Sequence, residues 1–356
     1  MGFNLIRPIV VAPRTYDAIV APSLADGDYT SIQSALNAGK KSIFIKDGTY
    51  SEAITIASDN VTLVGESLAA FIDGNLSTSG TVNGGTLDNL KLKNTLIGWF
   101  SNKVSNWKIE NCITTSGFTI YGLNSNLVFN NNFYSADIRG TCTFNSNTVE
   151  VSGFYLIDAI NSVVTGNIVK KGETLYNCTD LIFTDNVVNI AGNFYISLCT
   201  NVIFDNNTID GQLNANSRLY INATSSDIDI TNNYFKDCLW WGIEIATSSS
   251  KIRIKNNKIY NSYGIYGSGI SECIIESNII DNAPDTLAYH GIELVGTCNN
   301  NSVRNNTIKN INTGYYGITL GDGNKNDISH NRFLNVVSTY EIQNNGTNTQ
   351  LIGNIY

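Results

Sequence analysis

Three observations predict that this 356-residue chain is all-β and winds as a parallel β-helix. The first is a phrase that recurs from residue 126 onward: a large apolar residue, two variable residues, asparagine, then an apolar or β-branched residue within two places. It reads Phe129-Asn130-Asn131-Asn132-Phe133, then Val164-Thr165-Gly166-Asn167-Ile168, then Phe183-Thr184-Asp185-Asn186-Val187, and later copies continue to the end. The anchoring asparagine falls at 132, 147, 167, 186, 207, 233, 257, 278, 306, 331 and 354, ten intervals that sum to 222 residues and average 22.2. That period suits one solenoid coil of short alternating strands, with neighbouring coils about 4.8 Å apart. The second observation is 51 asparagines, only six of them before residue 91, in a chain whose charged fraction is 15%. An ordinary globular chain carries roughly 25% charged residues, so amides here take the place of charges. The third is a hydrophobic content of 42%, sufficient for a long continuous core.

Taken in order, residues 1–27 read as an arm or attachment segment outside the coils. It has three prolines, the apolar run Ile9-Val10-Val11 and no copy of the phrase, and it lacks the layout of a secretory signal. Residues 28–356 form the solenoid. Its first element is a short capping helix: Thr30 or Ser31 is the N-cap, Ile32, Ala35 and Leu36 are apolar at helical spacing, and Gly39 stops it. Weaker copies of the phrase near Leu92 and Ile109 place Thr95 and Cys112 in the asparagine slot. Stacking sets each asparagine above its equivalent, where its amide bonds along the column. A second column follows four residues later at Asp237, Asn261, Asn282, Asn310 and Asn335. Asn and Asp tolerate the left-handed conformation that a sharp corner needs. The expected total is about 12 or 13 coils. The last copy, Asn354-Ile355-Tyr356, shows no cap, so docking in an assembly is expected to cover it.

Seven cysteines, an odd number with no CxxC or Cys/His cluster, read as buried free thiols rather than a disulfide framework or metal site. Cys178 and Cys199 occupy matching places in Cys-Thr-Asp-Leu-Ile-Phe and Cys-Thr-Asn-Val-Ile-Phe, so they are expected to stack in adjacent coils. The formal charge of −8 leaves no basic face for phosphates, which argues against nucleic acid and anionic membranes. No stretch of about 18 apolar residues exists to span a bilayer. No cofactor and no metal is expected.

The run Tyr29-Thr30-Ser31-Ile32-Gln33-Ser34-Ala35-Leu36, followed by Ile43-Phe44-Ile45-Lys46-Asp47-Gly48-Thr49-Tyr50 and Val61-Thr62-Leu63-Val64-Gly65-Glu66, resembles the opening coils of the pectin-lyase-like superfamily. The later Gly-Ile and Asn-Asn-x-Ile phrases resemble parallel β-helix repeats of carbohydrate-binding and sugar-hydrolysing members. The resemblance spans residues 28–356 and implies a right-handed, single-stranded helix of the kind found in phage tailspikes. The paired Asp and Arg motifs of pectinesterases, the motif set of polygalacturonases and the calcium clusters of pectate lyases are not found in the sequence. Family chemistry is therefore not carried over, because function lives in sites and not in folds.

A third column carries the candidate site. Trp241-Gly242-Ile243-Glu244, Tyr263-Gly264-Ile265-Tyr266, His290-Gly291-Ile292-Glu293 and Tyr316-Gly317-Ile318-Thr319 are expected to stack as one strand over four coils. Trp240, Trp241, Tyr263, Tyr266, Tyr289, His290, Tyr315 and Tyr316 are candidate substrate contacts, since pyranose faces stack on aromatic rings. The same rings equally fit a hydrophobic stack that closes a turn or packs on a neighbouring subunit. Glu244 and Glu293 share one position two coils apart, about 10 Å, near the spacing of an inverting acid–base pair, with His290 tuning one of them. The bland alternative is two solvated carboxylates.

Two function classes follow. One is a polysaccharide-recognising or depolymerising β-helix of the tailspike or surface-appendage type, with a cell-surface glycan as partner. If it is an enzyme, it is an inverting glycoside hydrolase or a polysaccharide lyase. The other is a non-enzymatic virion or appendage protein that uses the helix as a rigid spacer. Either is expected outside the cell or on a virion, as a homo-oligomer such as a trimer.

Overall fold

The structure, a computed structural model, describes every residue except 1–14, 99–103, 129–130, 152, 191, 215, 223, 283–288, 338, 340 and 356. The chain winds as a parallel β-solenoid of about 14 turns, in which each strand pairs in parallel with its equivalent one coil away. Three strands make a regular coil. Ser226–Thr231, Tyr234–Cys238 and Trp241–Ile245 form one, and Ser250–Lys255, Lys258–Tyr260 and Tyr263–Ser268 form the next. Registers hold along the axis: Ile228 faces Ile252, Phe235 faces Ile259 and Ile243 faces Ile265. Side chains alternate in and out along each strand. The inward set is Ile, Val, Leu and Phe, and it is continuous from Ala18 to Phe333. Phe183 and Phe204 stack at 5.0 Å in adjacent coils, with Phe194 set edge-on to both at 5.4 Å.

The turn count exceeds the expected 12 or 13 because the first coils carry no inward asparagine and escape the periodicity. The predicted boundary at residue 27 moves for the same reason. Ala18–Val20 is already a strand, in register with Ile43–Ile45, and Ala18, Val20 and Ala21 are buried. Only the earlier part of the expected arm, with Ile9, Val10 and Val11, lies outside the described residues. The capping helix is Ile32–Asn37, with Ser31 as N-cap, and it packs against the strands Ala18–Val20, Ser42–Ile45 and Ile54–Ile56. Ser31 Oγ accepts from the Ser34 amide at 3.1 Å, and the Glu52 carboxylate accepts from the Ile32 and Gln33 amides at 2.7 and 3.2 Å. Helix N-terminal amides have no partners of their own, and here the next coil supplies them.

The asparagine column lies at the corner between the first and second strands of each coil. From residue 131 each carboxamide donates to the Oδ1 of the next, as in Asn186 to Asn207 at 3.0 Å and Asn207 to Asn233 at 3.0 Å. The same Oδ1 also accepts the main-chain N–H of the residue below it, and from Asn167 onward each Nδ2 reaches a carbonyl one coil back, whereas Asn147 Nδ2 reaches the Asn145 carbonyl of its own coil. The first member is Asn131, not Asn132. Asn131 Oδ1 accepts the Cys112 amide at 2.9 Å and its Nδ2 donates to Asn147, whereas Asn132 begins a strand and is exposed. Cys112 occupies the slot as expected. Thr95 does not, because Ile113 pairs with Lys91 and so sets Leu90 against Cys112. From Asn147 onward the residue just before each column member turns the corner with φ near +55°, for example Asp185, Asn206, Asn232, Asn256, Asn305 and His330. In the second corner column Asp237, Asn261, Asn310 and Asn335 take positive φ, and Asn282, though in register, does not.

All seven cysteines are buried and unpaired. Cys178 and Cys199 stack in adjacent coils, the Cys178 amide lying 3.4 Å from Cys199 Sγ. Burial pushes the thiols of Cys112, Cys142, Cys238 and Cys273 up to about 12.

Candidate functional site

The third strand of each coil builds the site, and alternation decides which side chains reach its surface. Ile243, Ile245, Ile265, Ile292, Leu294, Ile318 and Leu320 point into the core. Between them, Glu244 faces Tyr266, Tyr266 faces Glu293, and Glu293 faces Thr319 on the outer side. Two coil spacings of 4.7–4.9 Å set the two carboxylate positions about 10 Å apart, with one tyrosine between them. Tyr266 has its pKa raised first by burial, and both glutamates add to the rise.

The file continues beyond the four coils read from the sequence. Tyr220 faces Glu244, Tyr195 faces Tyr220, and Tyr155 lies two coils further on, across Thr174. Arg218, two residues before Tyr220, is the main addition. Its Nη1 lies 2.8 Å from Glu244 Oε2, and its guanidinium covers the rings of Tyr220 at 4.7 Å and Trp240 at 5.7 Å. Trp240 Nε1 donates to the same Glu244 oxygen at 3.2 Å. Sequence reading missed Arg218 because its coil has no aromatic-Gly-Ile phrase. The available signal was spacing, since Tyr220 precedes Glu244 by one coil.

Both carboxyl groups are half-buried, and burial raises the pKa of each above its ordinary value. Only at Glu244 is that rise opposed, by the Arg218 cation and the Trp240 N–H. At Glu293 burial acts with no opposing group. A raised folded-state pKa means stability is full below the ordinary value of 4.5 and falls as pH climbs through the folded value. Glu293→Gln removes that loss. The melting-temperature difference between this variant and the native chain is therefore expected to grow in the variant's favour from pH 4 to pH 8. A difference that does not change with pH would show that Glu293 is freely solvated.

The aromatic residues converge, but not as open platforms. Tyr263 and Tyr289 stack at 3.9 Å, and Tyr289 stacks on Tyr315 at 5.9 Å. Trp241 packs within this group, 5.2 Å from Tyr266 and 5.7 Å from Tyr289. Its expected role as a sugar platform is corrected: only 4% of Trp241 is exposed, because the rings of Tyr263, Tyr266 and Tyr289 pack around it. Trp240, Tyr263, Tyr266, Tyr289, Tyr315 and Tyr316 remain half-buried at the surface. The glycine between each ring and the file lets the coils close up. At Gly264, with φ of +33°, an added Cβ would sit 1.8 Å from the Gly291 carbonyl oxygen.

His290 does not tune Glu293. Its Nδ1 accepts the Tyr316 amide at 2.8 Å and lies 3.1 Å from Thr319 Oγ1, and its ring stacks on Tyr316 at 5.7 Å. Burial lowers its pKa, so the ring is neutral and orders the turn. Among the described residues no group of three or more His, Cys, Asp or Glu side chains is arranged to hold a metal ion, and no helix is long and apolar enough to cross a membrane.

The chain belongs to the right-handed beta-helix region family, which matches residues 138–267 and 242–355. Among solved structures it is similar to the PL6 family alginate lyase AlyGC, at 12% identity over 94% of this chain and 75% of that one, with a TM-score of 0.54. It is also similar to the catalytic domain of a GH87 alpha-1,3-glucanase in complex with tetrasaccharides, at 15% identity over 98% and 71%, with a TM-score of 0.51. The A-module of Azotobacter vinelandii mannuronan C-5 epimerase AlgE6 aligns over 91% and 92% at 15% identity, with a TM-score of 0.47. At such identities the likeness is one of fold. No curated protein sequence matches the chain.

Proposed function

We propose that this chain binds a linear polysaccharide along the outer file of its third strands and hydrolyses it with inversion, Glu293 acting as general acid and Glu244 as general base. The observation that carries this is the file itself: two half-buried carboxyl groups in one register, two coils apart, only one of them held by a cation. Glu293 gives its proton to the glycosidic oxygen as the bond to the anomeric carbon breaks. Glu244, whose charged form Arg218 favours, takes a proton from the water that attacks that carbon from the opposite face. Inverting pairs stand about 6.5–9.5 Å apart to admit this water, and side-chain rotation brings a spacing of two coils into that range. Trp240, Tyr266 and Tyr289 offer ring surface beside the carboxyls, and the coil repeat supplies contacts along a line. The named neighbours, an alginate lyase and a glucanase, show that this fold hosts polysaccharide chemistry elsewhere.

The reading extends to an extracellular or virion-borne homo-oligomer of the tailspike or appendage kind. Its support is an outward apolar file on the first strands, where Ile182 and Ile203 are paired and exposed. One observation favours the spacer reading instead: the rings around Trp241 satisfy one another, as a closed hydrophobic stack does. Incubation with a panel of polysaccharides decides between them. Release of reducing ends with the α-anomer or β-anomer inverted by NMR supports the hydrolase. Retention in affinity gels without release supports a binder, and neither result leaves the spacer.

A further inference from the structure

The charges along this groove point to the class of glycan it takes. We infer, on the polysaccharide reading above, that the chain is built of uncharged sugars and is not a polyuronate. A polyanionic chain needs cations that stay available to its carboxylates, repeated along the line of contact. Between Ser135 and Leu320 the strands of this face contain two cations, Arg139 and Arg218. Each already has an acid. Arg139 Nη2 lies 2.9 Å from Asp137 Oδ2, and Arg218 Nη1 lies 2.8 Å from Glu244 Oε2.

The remaining donor of Arg218 near the core does not change this. Its Nε is buried and meets no hydrogen-bond partner among the described residues, so it is out of reach of a ligand carboxylate. The guanidinium faces are taken up by Tyr220 and Trp240. On the neighbouring second strands Lys236 is held by Asp210 at 2.6 Å and Lys309 by Asp281 at 2.9 Å, while the exposed Lys258, at the end of its strand away from this face, lies over the Tyr234 ring at 5.2 Å. Lys171, exposed at a turn into this face, lies three coils from Glu244. Glu293, by contrast, is a carboxyl with no cation beside it, at the centre of the file.

The outward groups that are left are tyrosine rings, tyrosine and threonine hydroxyls and an indole. Tyr155, Tyr195, Tyr220 and Tyr266 recur along the axis, and Tyr195 and Tyr220 meet edge-on at 5.7 Å. These surfaces suit the apolar faces and hydroxyls of neutral pyranoses. They offer a uronate nothing to neutralise its charge.

Affinity electrophoresis of the full chain tests this, with gels containing xylan, galactomannan, dextran or alpha-1,3-glucan on one side and alginate or polygalacturonate on the other. Retardation is expected in at least one neutral gel, unchanged between low salt and high salt, with none in the polyuronate gels. Glu244→Gln frees the Arg218 cation, and about fivefold stronger retention by alginate at low salt is expected for that variant, lost at high salt. Retardation of the native chain by a polyuronate, weakening as salt is added, overturns the inference while leaving the polysaccharide reading in place. Binding to no polysaccharide in the panel overturns both.

Discussion

Asn207→Ala is expected to lower the free energy of unfolding by about 3–5 kcal/mol, an effect that the other interior members of the column should share. The reason is the number of partners left behind. Asn207 Nδ2 donates to the Phe183 carbonyl at 3.0 Å and to Asn233 Oδ1 at 3.0 Å, while its Oδ1 accepts the Asn186 amide at 2.9 Å and the Asn186 carboxamide at 3.0 Å. Alanine removes the donor and the acceptor together. The Phe183 carbonyl and two Asn186 N–H groups then stay buried without partners, at about 1–3 kcal/mol each before relaxation. Asn206→Ala is the matched comparison one residue away. Asn206 is exposed, turns the corner at φ of 50° and bonds Asp185 at 2.6 Å. Placing alanine in that left-handed corner is expected to cost about 1–2 kcal/mol. Urea midpoints of the two variants measure the difference. Equal losses would mean that the column is no more than a set of solvated corner amides.

That comparison also shows what could be read from the residues. The column was legible because a buried amide must recur once per coil, and a strict recurrence near 22 has few other causes. Its start was not legible, since Asn130, Asn131 and Asn132 run together and only strand register selects one. The early coils hid from the pattern because Leu90 and Cys112 stand where later coils place asparagine, so the slot is inward without being amide. Glu244 and Glu293 were legible through the Gly-Ile phrases, and their shared register is what the structure displays. The burial of Trp241 was not legible, because it comes from the rings of Tyr263, Tyr266 and Tyr289 packing around it once the coils stack. Arg218 was not available from any phrase. A cation that neutralises a carboxylate one coil away is a contact of the stacked state, and only the one-coil spacing of Tyr220 from Glu244 hints at it.

Loss of turnover in the two carboxamide variants is the largest expected effect on activity. Glu293→Gln and Glu244→Gln are each expected to lower kcat by about a hundredfold to ten-thousandfold, the usual contribution of a positioned acid or base. Retention by the polysaccharide should persist in both, because the rings and hydroxyls of the file are unchanged. The roles separate in the pH profile. A general acid must hold its proton, so activity of the native chain falls as pH rises through the folded value of Glu293, which burial sets above the ordinary carboxyl range. Glu293→Gln should erase that alkaline limb. A general base must be ionised, so the acid limb belongs to Glu244, and Glu244→Gln should erase it instead. Leaving groups sharpen the assignment. An aryl glycoside that departs without protonation should recover much of the rate lost in Glu293→Gln and little of that lost in Glu244→Gln. Azide, which needs no base to activate it, should rescue Glu244→Gln alone. If neither variant alters turnover, Glu244 serves only to hold Arg218 against the Tyr220 and Trp240 rings, and the file is scaffold.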